Sequence, residues 1–95
     1  MKFAAVIEYT NDNELIQKIR PTHREYLAQL REIGQLAASG PFTDDSGALI
    51  IYEAETQEEA EKYLQGDPFH ANGIFVSYQM RPWNPVIFNG DLFNS

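Results

Sequence analysis

The feature that most constrains the fold is the order in which two apolar patterns follow each other along 95 residues. Four segments have the β-branched, apolar composition of strands: 2–9, 35–42, 48–54 and 74–80. Two segments have apolar residues at helical spacing: 13–34 and 57–64. Strand, helix, strand, strand, helix, strand is the split βαβ order of ferredoxin-like folds. We therefore predict an α+β domain with one antiparallel sheet and both helices on one face.

The helix boundaries are marked by residues with specific backbone roles. Gly34 stands where a left-handed helix C-cap is expected, and Thr56 with Glu59 matches a capping box at the start of the second helix. Pro21 falls inside the first helical pattern, where a proline removes a donor and clashes with the preceding turn unless it lies in the first turn. We therefore predict a short helix, a break at Arg20, and then the main helix.

A chain of this length supports one core, so we predict a single domain over residues 1–84 followed by a tail over residues 85–95. The third and fourth strands have apolar residues that we expect on both faces of the sheet: Ile50, Tyr52, Phe75 and their neighbours. A second copy would cover the face away from the helices, which predicts a homodimer with two facing sheets.

The tail keeps many apolar residues for so short a segment: Val86, Ile87, Phe88, Leu92 and Phe93. A tail of this kind is expected to pack on its own domain or on a neighbouring subunit.

Composition excludes several kinds of chemistry. The chain has no cysteine, which removes disulfides, thiolate nucleophiles and cysteine-ligated metals. Its net charge of −7 repels phosphate backbones and anionic lipid surfaces, so we expect neither nucleic acid nor membrane as a partner. The first residues lack the features of a signal peptide, and no segment approaches the roughly 20 apolar residues of a membrane helix. These observations predict a cytoplasmic protein.

Two histidines are candidates for proton transfer or metal binding. Histidine exchanges a proton near neutral pH, so His23 on the main helix is a candidate general acid or base, and the alternative is a solvated or capped helix residue. His70 and Asp67 could join His23 around a metal, but the three lack a recognised ligand spacing. We expect no metal, and no cofactor motif is present.

Other polar residues have a functional and a structural interpretation of similar weight. Arg20, one helical turn before His23, could bind a substrate carboxylate or phenolate, or could be a solvated charge. Ser39, beside Gly40 and Pro41, could bind a substrate oxygen or satisfy the backbone at a strand end.

An ordered set of short segments resembles the YciI-like (YCII-related) family. The set consists of Arg20-Pro21-Thr22-His23, Leu27 and Leu30, Gly34, Ser39-Gly40-Pro41, Glu58-Glu59-Ala60, Gly66-Asp67-Pro68-Phe69, Gly73 and Pro82-Trp83. The resemblance covers residues 1 to about 84. It implies a dimeric α/β barrel with a site centred on a histidine and an aspartate, in a family that includes dehydrochlorinase-like enzymes acting on small aromatic compounds.

Under this resemblance His23 and Asp67 are the expected catalytic pair, with the Asp67 carboxylate orienting the imidazole as the acid of a triad does. Without it, Asp67 before Pro68 is an ordinary turn or cap residue. The expected substrate-binding residues are Arg20, Ser39, Gly40, Pro41, Phe69 and Trp83, although large aromatic residues also occur as core packing.

Three functions remain open at this point. The first is a small lyase, dehydrochlorinase or isomerase that uses the His–Asp pair on a small polar or aromatic substrate without a cofactor. The second is a domain that binds a small molecule without converting it, since no strong nucleophile site or oxyanion hole is visible in the sequence. The third is a cofactor-independent monooxygenase, which fold analogy alone supports.

Overall fold

The computed structural model describes residues 1–93, which form a four-stranded antiparallel sheet with its helices on one face. The elements in chain order are β1 (Lys2–Tyr9), α1 (Asn13–Glu32), β2 (Leu36–Pro41), β3 (Gly47–Glu53), α2 (Gln57–Gln65), α3 (Pro68–Ala71), β4 (Phe75–Trp83) and a short 3-10 helix (Gly90–Phe93). The strands lie in the order β2-β3-β1-β4. This is the predicted ferredoxin-like βαββαβ fold.

The core lies between the sheet and the helices, and β1 is at its centre. Every second residue of β1 is buried, namely Phe3, Ala5, Ile7 and Tyr9. The helices α1 and α2 supply the opposing apolar side chains: Ile16, Leu27, Leu30, Ala60 and Leu64. A strand alternates its side chains between two faces while a helix repeats every 3.6 residues, so both patterns converge on one layer.

The predicted break at Arg20 is wrong, because α1 continues through Pro21 without interruption. The helix buries Ile16 before the proline and His23, Leu27 and Leu30 after it. These contacts tie both halves of the helix to the same core, and they outweigh the missing donor and the local clash at the proline.

Strands β3 and β4 carry apolar side chains on both faces, as predicted, and Ile50, Tyr52 and Phe75 share one of these faces. They pair with Ala5, Phe3 and Tyr9, which places all of them on the helix side. The opposite face instead carries Val6, Leu49 and Val76, which are 51%, 40% and 53% exposed. This outer face is therefore partly apolar in a single chain, and Leu49 and Val76 are direct neighbours of Ile50 and Phe75 in the sequence.

The predicted end signals are confirmed. Gly34 follows α1 with a φ of +81°, a conformation that favours glycine. Thr56 caps α2 by accepting a hydrogen bond from the backbone of Glu59, whose carboxylate accepts one from the backbone of Glu55. At Gly47 an added Cβ would lie 1.9 Å from the carbonyl oxygen of Ile7, so only glycine allows β3 to begin so close to β1.

The tail leaves the sheet after Trp83, and its last two residues, Asn94 and Ser95, fall outside the described part of the chain. Its apolar side chains, Val86, Ile87, Phe88, Leu92 and Phe93, are between 67% and 93% exposed. Phe88 and Phe93 stack on each other with ring centroids 5.3 Å apart. Packing on a neighbouring subunit stays a prediction. Among residues 1–93, no helix has the length and apolar character needed to cross a membrane.

Candidate active site

His23 and Asp67 form a hydrogen-bonded pair beneath the helices. Nδ1 of His23 lies 2.7 Å from Oδ1 and 2.9 Å from Oδ2 of Asp67, and both side chains are buried. An ionised carboxylate only accepts hydrogen bonds, so Nδ1 carries the proton and donates it to both oxygens. The contact joins α1 to the segment between α2 and α3. His23 and Asp67 are 44 positions apart in the sequence.

Asp67 is the N-cap of α3, and this role fixes its side chain. The backbone N–H of Phe69 donates to Oδ1 at 2.9 Å, while the extended backbone of Asp67 suits the residue before a proline. The cap and the imidazole therefore hold the same carboxylate from two sides. Asp67 is therefore both the helix cap expected before Pro68 and the hydrogen-bond partner of His23.

Gly66 and Tyr26 set the approach of α1 to this turn. The hydroxyl of Tyr26 donates to the carbonyl oxygen of Tyr63 at 2.6 Å, and a Cβ on Gly66 would lie only 2.8 Å from that hydroxyl. Tyr26 stands three residues after His23, on the same side of α1. The helix thus contacts the Gly66–Asp67 junction at two successive turns, which fixes the position of the imidazole.

Two phenylalanines enclose the ring of His23. The ring of Phe69 lies parallel to the imidazole with centroids 3.8 Å apart, and Phe75 meets it edge-on at 6.3 Å. Within residues 1–93, the only fully buried side-chain nitrogen or oxygen without a hydrogen bond is the hydroxyl of Tyr52. Nε2 of His23 is not among these atoms, and no hydrogen-bond partner of it is described within the same residues. One nitrogen is fixed and the other remains available for proton transfer.

Tyr9 adjoins the pair and was not predicted as a site residue. Its ring contacts Phe69 at 5.4 Å and Phe75 at 6.1 Å, the same two rings that enclose His23. Burial raises the pKa of Tyr9 to about 12, so its hydroxyl stays protonated and can donate. The alternation of β1 places Tyr9 on the core side, but sequence offered no sign that this core position borders the histidine.

Arg20 lies one turn before His23 and is paired with Asp45. Its Nη2 donates to Oδ1 of Asp45 at 2.9 Å, which ties α1 to the turn between β2 and β3. The acidic partner of Arg20 was not foreseen, because Asp44 and Asp45 are indistinguishable in a sequence of turn composition.

The other expected site residues lie elsewhere. Ser39, Gly40 and Pro41 are exposed on the edge strand β2. Trp83 pairs with Lys2 at the start of β1, whereas Tyr9 ends that strand roughly 23 Å away at about 3.3 Å per residue. None of the four surface grooves described for residues 1–93 is lined by His23 or Asp67. A pocket lined by Ser39 and Arg20 stays a prediction.

His70 is exposed on α3 and faces away from the pair. Among residues 1–93, no group of three histidine or acidic side chains is close enough together to hold a metal ion. Tyr52, by contrast, lies in the core, and burial raises the pKa of its hydroxyl, with the charge of Asp67 adding to the effect.

Fold and site together define a ferredoxin-like α+β domain with a buried, hydrogen-bonded His–Asp pair. The model of the YCII-related domain matches residues 1–84, and the chain belongs to this family. It is 30% identical over 78 residues to Protein YciI of Escherichia coli O6:H1. The alignment covers 72% of this chain and 80% of that protein. It is 37% identical over 51 residues to the uncharacterized protein YjpA of Bacillus subtilis, covering 54% of this chain and 60% of the relative.

A solved structure shares the fold. The 5-chloro-2-hydroxyhydroquinone dehydrochlorinase TftG of Burkholderia phenoliruptrix AC1100, in complex with 2,5-dihydroxybenzoquinone, superposes with a TM-score of 0.77. The match covers 88% of this chain and 94% of that protein at 24% sequence identity. At this identity the likeness establishes the fold alone.

Proposed function

We propose that the protein is a small enzyme of the lyase, dehydrochlorinase or isomerase type, in which His23 is the general acid and base. The observation that carries the proposal is the buried contact of Nδ1 with both carboxylate oxygens of Asp67, while Nε2 has no hydrogen-bond partner described within residues 1–93. Asp67 is the positioning residue, because it fixes the tautomer and stabilises the imidazolium that forms when Nε2 takes a proton.

The chemistry that this arrangement supports is proton transfer at carbon or oxygen. In an elimination of HCl, Nε2 accepts a proton from the substrate, the electrons of the broken bond form a new π bond, and chloride leaves with the electron pair of the C–Cl bond. In an isomerisation the same nitrogen returns the proton to another atom. A positioned general base contributes about 10²–10⁴-fold to such a step.

The substrate class we propose is a small polar or aromatic molecule. The buried rings of Phe69, Phe75 and Tyr9 give His23 an apolar, aromatic environment, and the hydroxyl of Tyr9 is a hydrogen-bond donor near it. The shared fold with TftG, whose solved structure holds a dihydroxybenzoquinone, supports an aromatic or quinonoid ring as the first compound to test.

A second candidate function is binding of the same kind of molecule without turnover. It is favoured by the described contacts of His23, whose only hydrogen-bond partner within residues 1–93 is Asp67. No hydroxyl nucleophile is joined to the imidazole there, so covalent catalysis has no support.

We also propose that the working form is a homodimer joined through the outer face of the sheet. Val6, Leu49 and Val76 leave this face partly apolar, and a second sheet packed against it would bury these side chains. The family resemblance implies the same assembly.

The function is tested with 5-chloro-2-hydroxyhydroquinone as the probe substrate, by measuring chloride release and the absorbance of the quinone product. His23→Ala should reduce the rate at least about 10²-fold, as expected for loss of a general base. His70→Ala is the matched control, because the exposed His70 lies outside the pair. Binding of the probe without chloride release or any other conversion would favour the binding domain, and equal rates in both variants would exclude His23 as the base.

A further inference from the structure

Arg20 lies one helical turn before His23, and its guanidinium is ion-paired with an acid of the same chain, Asp45. The guanidinium is mostly buried, with 17% of the side chain exposed, and its one described contact is Nη2 to Oδ1 of Asp45 at 2.9 Å. A guanidinium has five donors arranged to meet two oxygens at once. Most of its hydrogen-bonding capacity is therefore not used by the contact with Asp45.

The turn that presents Asp45 is held by its own hydrogen bonds. The backbone of Phe42 donates to the carbonyl of Gly47, and the backbone of Asp45 donates to the carbonyl of Phe42. Ser46 donates to the carboxylate of Asp44 at 3.0 Å. Because these bonds do not involve Arg20, the turn can keep its shape when the ion pair opens.

Asp45 itself has a left-handed backbone, with a φ of +62°. Apart from glycine, asparagine and aspartate tolerate this conformation best. An acid therefore occupies a position where most side chains are disfavoured, and its carboxylate meets the only arginine described as ion-paired in residues 1–93.

The ion pair stands beside the His23 site. Arg20 precedes His23 by three residues on α1, so the two side chains lie on the same side of the helix. The backbone N–H of Tyr9 donates to the carbonyl of Ser46, next to Asp45, which brings the turn to the end of β1. Burial is the main cause of the raised pKa of Tyr9, and the charges of Arg20, Asp67, Asp45 and Arg24 make smaller contributions to it.

We propose that Arg20 anchors an anionic group of the substrate and that Asp45 is an internal competitor, which neutralises Arg20 until the anion displaces it. This inference rests on the proposed function of His23 and names the substrate class of that site: a small aromatic or enolic anion. Arg20 would hold the carboxylate or phenolate oxygen of this molecule while Nε2 of His23 exchanges a proton with another of its atoms.

Competition of this kind serves specificity more than affinity. An unpaired, mostly buried arginine would attract any small anion that reaches it, whatever its shape. With Asp45 in place, only a ligand that also fits against the aromatic rings replaces the lost ion pair. A neutral molecule of the same shape gains nothing from Arg20.

The test compares benzoate with its neutral analogue benzamide, measured by shifts of the His23 imidazole signals in NMR titrations of the full chain. Asp45→Asn removes the charge and keeps a residue that tolerates the positive φ. Asp44→Asn is the matched control, since it makes the same change of net charge in the same turn without contacting Arg20. Arg20→Gln removes the proposed anchor.

Asp45→Asn should tighten benzoate binding about two- to fivefold, the range of a partly exposed ion pair, and leave benzamide binding unchanged. Arg20→Gln should abolish the preference for benzoate over benzamide, and Asp44→Asn should behave as the native chain. Asp45→Gly, which suits the same φ, replaces the asparagine variant if that variant unfolds.

Two results would overturn the inference in distinguishable ways. If benzoate shifts the His23 signals but Asp45→Asn gives no gain, or Asp44→Asn gives the same gain, Asp45 is not a competitor and the proposed function still stands. If neither probe perturbs His23 in any variant, the inference fails together with the ligand site proposed around that histidine.

Discussion

The imidazole of His23 and the phenyl ring of Phe69 lie within 1° of parallel, with centroids 3.8 Å apart. The backbone N–H of the same phenylalanine donates to Asp67, the partner of the histidine. Phe69 thus contacts both members of the pair, one through its ring and the other through its backbone. The geometry of the site is therefore tied to the packing of α3 against the core.

Replacing Phe69 should damage the fold and the site together. Phe69→Ala removes a fully buried ring, and we expect a loss of about 3–5 kcal/mol in the free energy of unfolding. Phe88→Ala, in the exposed part of the tail, is the matched control and should change stability by less than about 0.5 kcal/mol. Urea unfolding followed by circular dichroism measures both, and a small loss at Phe69 would contradict the packing described.

Replacing Asp67 should change the tautomer of His23 before it changes the fold. In Asp67→Asn the amide can still accept from the Phe69 backbone, but it no longer holds a carboxylate against Nδ1–H. We expect a mixture of imidazole tautomers, visible in the ring ¹⁵N shifts, and a fall in kcat of about 10²–10⁴-fold. Unchanged ¹⁵N shifts would show that Asp67 does not orient the ring.

The elements of the fold were predictable because each has a local cause. The alternation of β1, the capping box at Thr56 and the glycine after α1 all act within a few residues, and each is seen where it was predicted. The His23–Asp67 contact was predicted from the family resemblance and not from spacing, since the two residues are 44 positions apart.

What sequence could not supply depends on packing between distant elements. Pro21 has an unfavourable local effect in a helix, and only the burial of residues on both sides of it explains why α1 continues. Tyr9 and Asp45 lie near the site because the end of β1, the helix α1 and the β2–β3 turn pack together. Their own sequence neighbourhoods resemble an ordinary strand end and an ordinary turn.

The continuous helix makes a prediction about Pro21. Pro21→Ala restores a backbone donor inside α1 and removes the ring clash, so we expect the free energy of unfolding to rise by about 1–3 kcal/mol. Pro85→Ala, outside the helices and strands, is the control and should stay within about 1 kcal/mol of the native chain. A drop in the stability of Pro21→Ala would contradict the unfavourable effect on α1 that we assign to the proline.

Stability should fall in alkaline solution because of the buried tyrosines. The pKa of Tyr9 is raised from 10.0 to about 12 by burial, so the unfolded chain loses this proton first as the pH rises. The contribution of Tyr9 is complete below pH 10 and disappears between pH 10 and about 12. Melting temperatures between pH 8 and pH 11 should therefore fall less steeply above pH 10 in Tyr9→Phe than in the native chain. Equal slopes would contradict this assignment.

The outer face of the sheet makes the last prediction. Val6 lies on the central strand β1 and is half exposed in a single chain, so Val6→Glu should be tolerated by an isolated domain. In a homodimer joined through this face, the same change would bury two like charges against each other without partners. We therefore expect light scattering at micromolar concentration to give twice the mass of one chain for the native protein. For Val6→Glu it should give the mass of one chain.

The control for this change is Ile33→Glu, another exposed aliphatic residue, which follows α1 and lies away from the outer face. It should leave the mass at two chains. A native protein that scatters as a single chain would remove the facing-sheet dimer, and loss of the dimer in both variants would place the contact elsewhere. Retention of the dimer in Val6→Glu would point to the apolar tail after Trp83 as the joining surface, since five further exposed apolar residues lie there: Val86, Ile87, Phe88, Leu92 and Phe93.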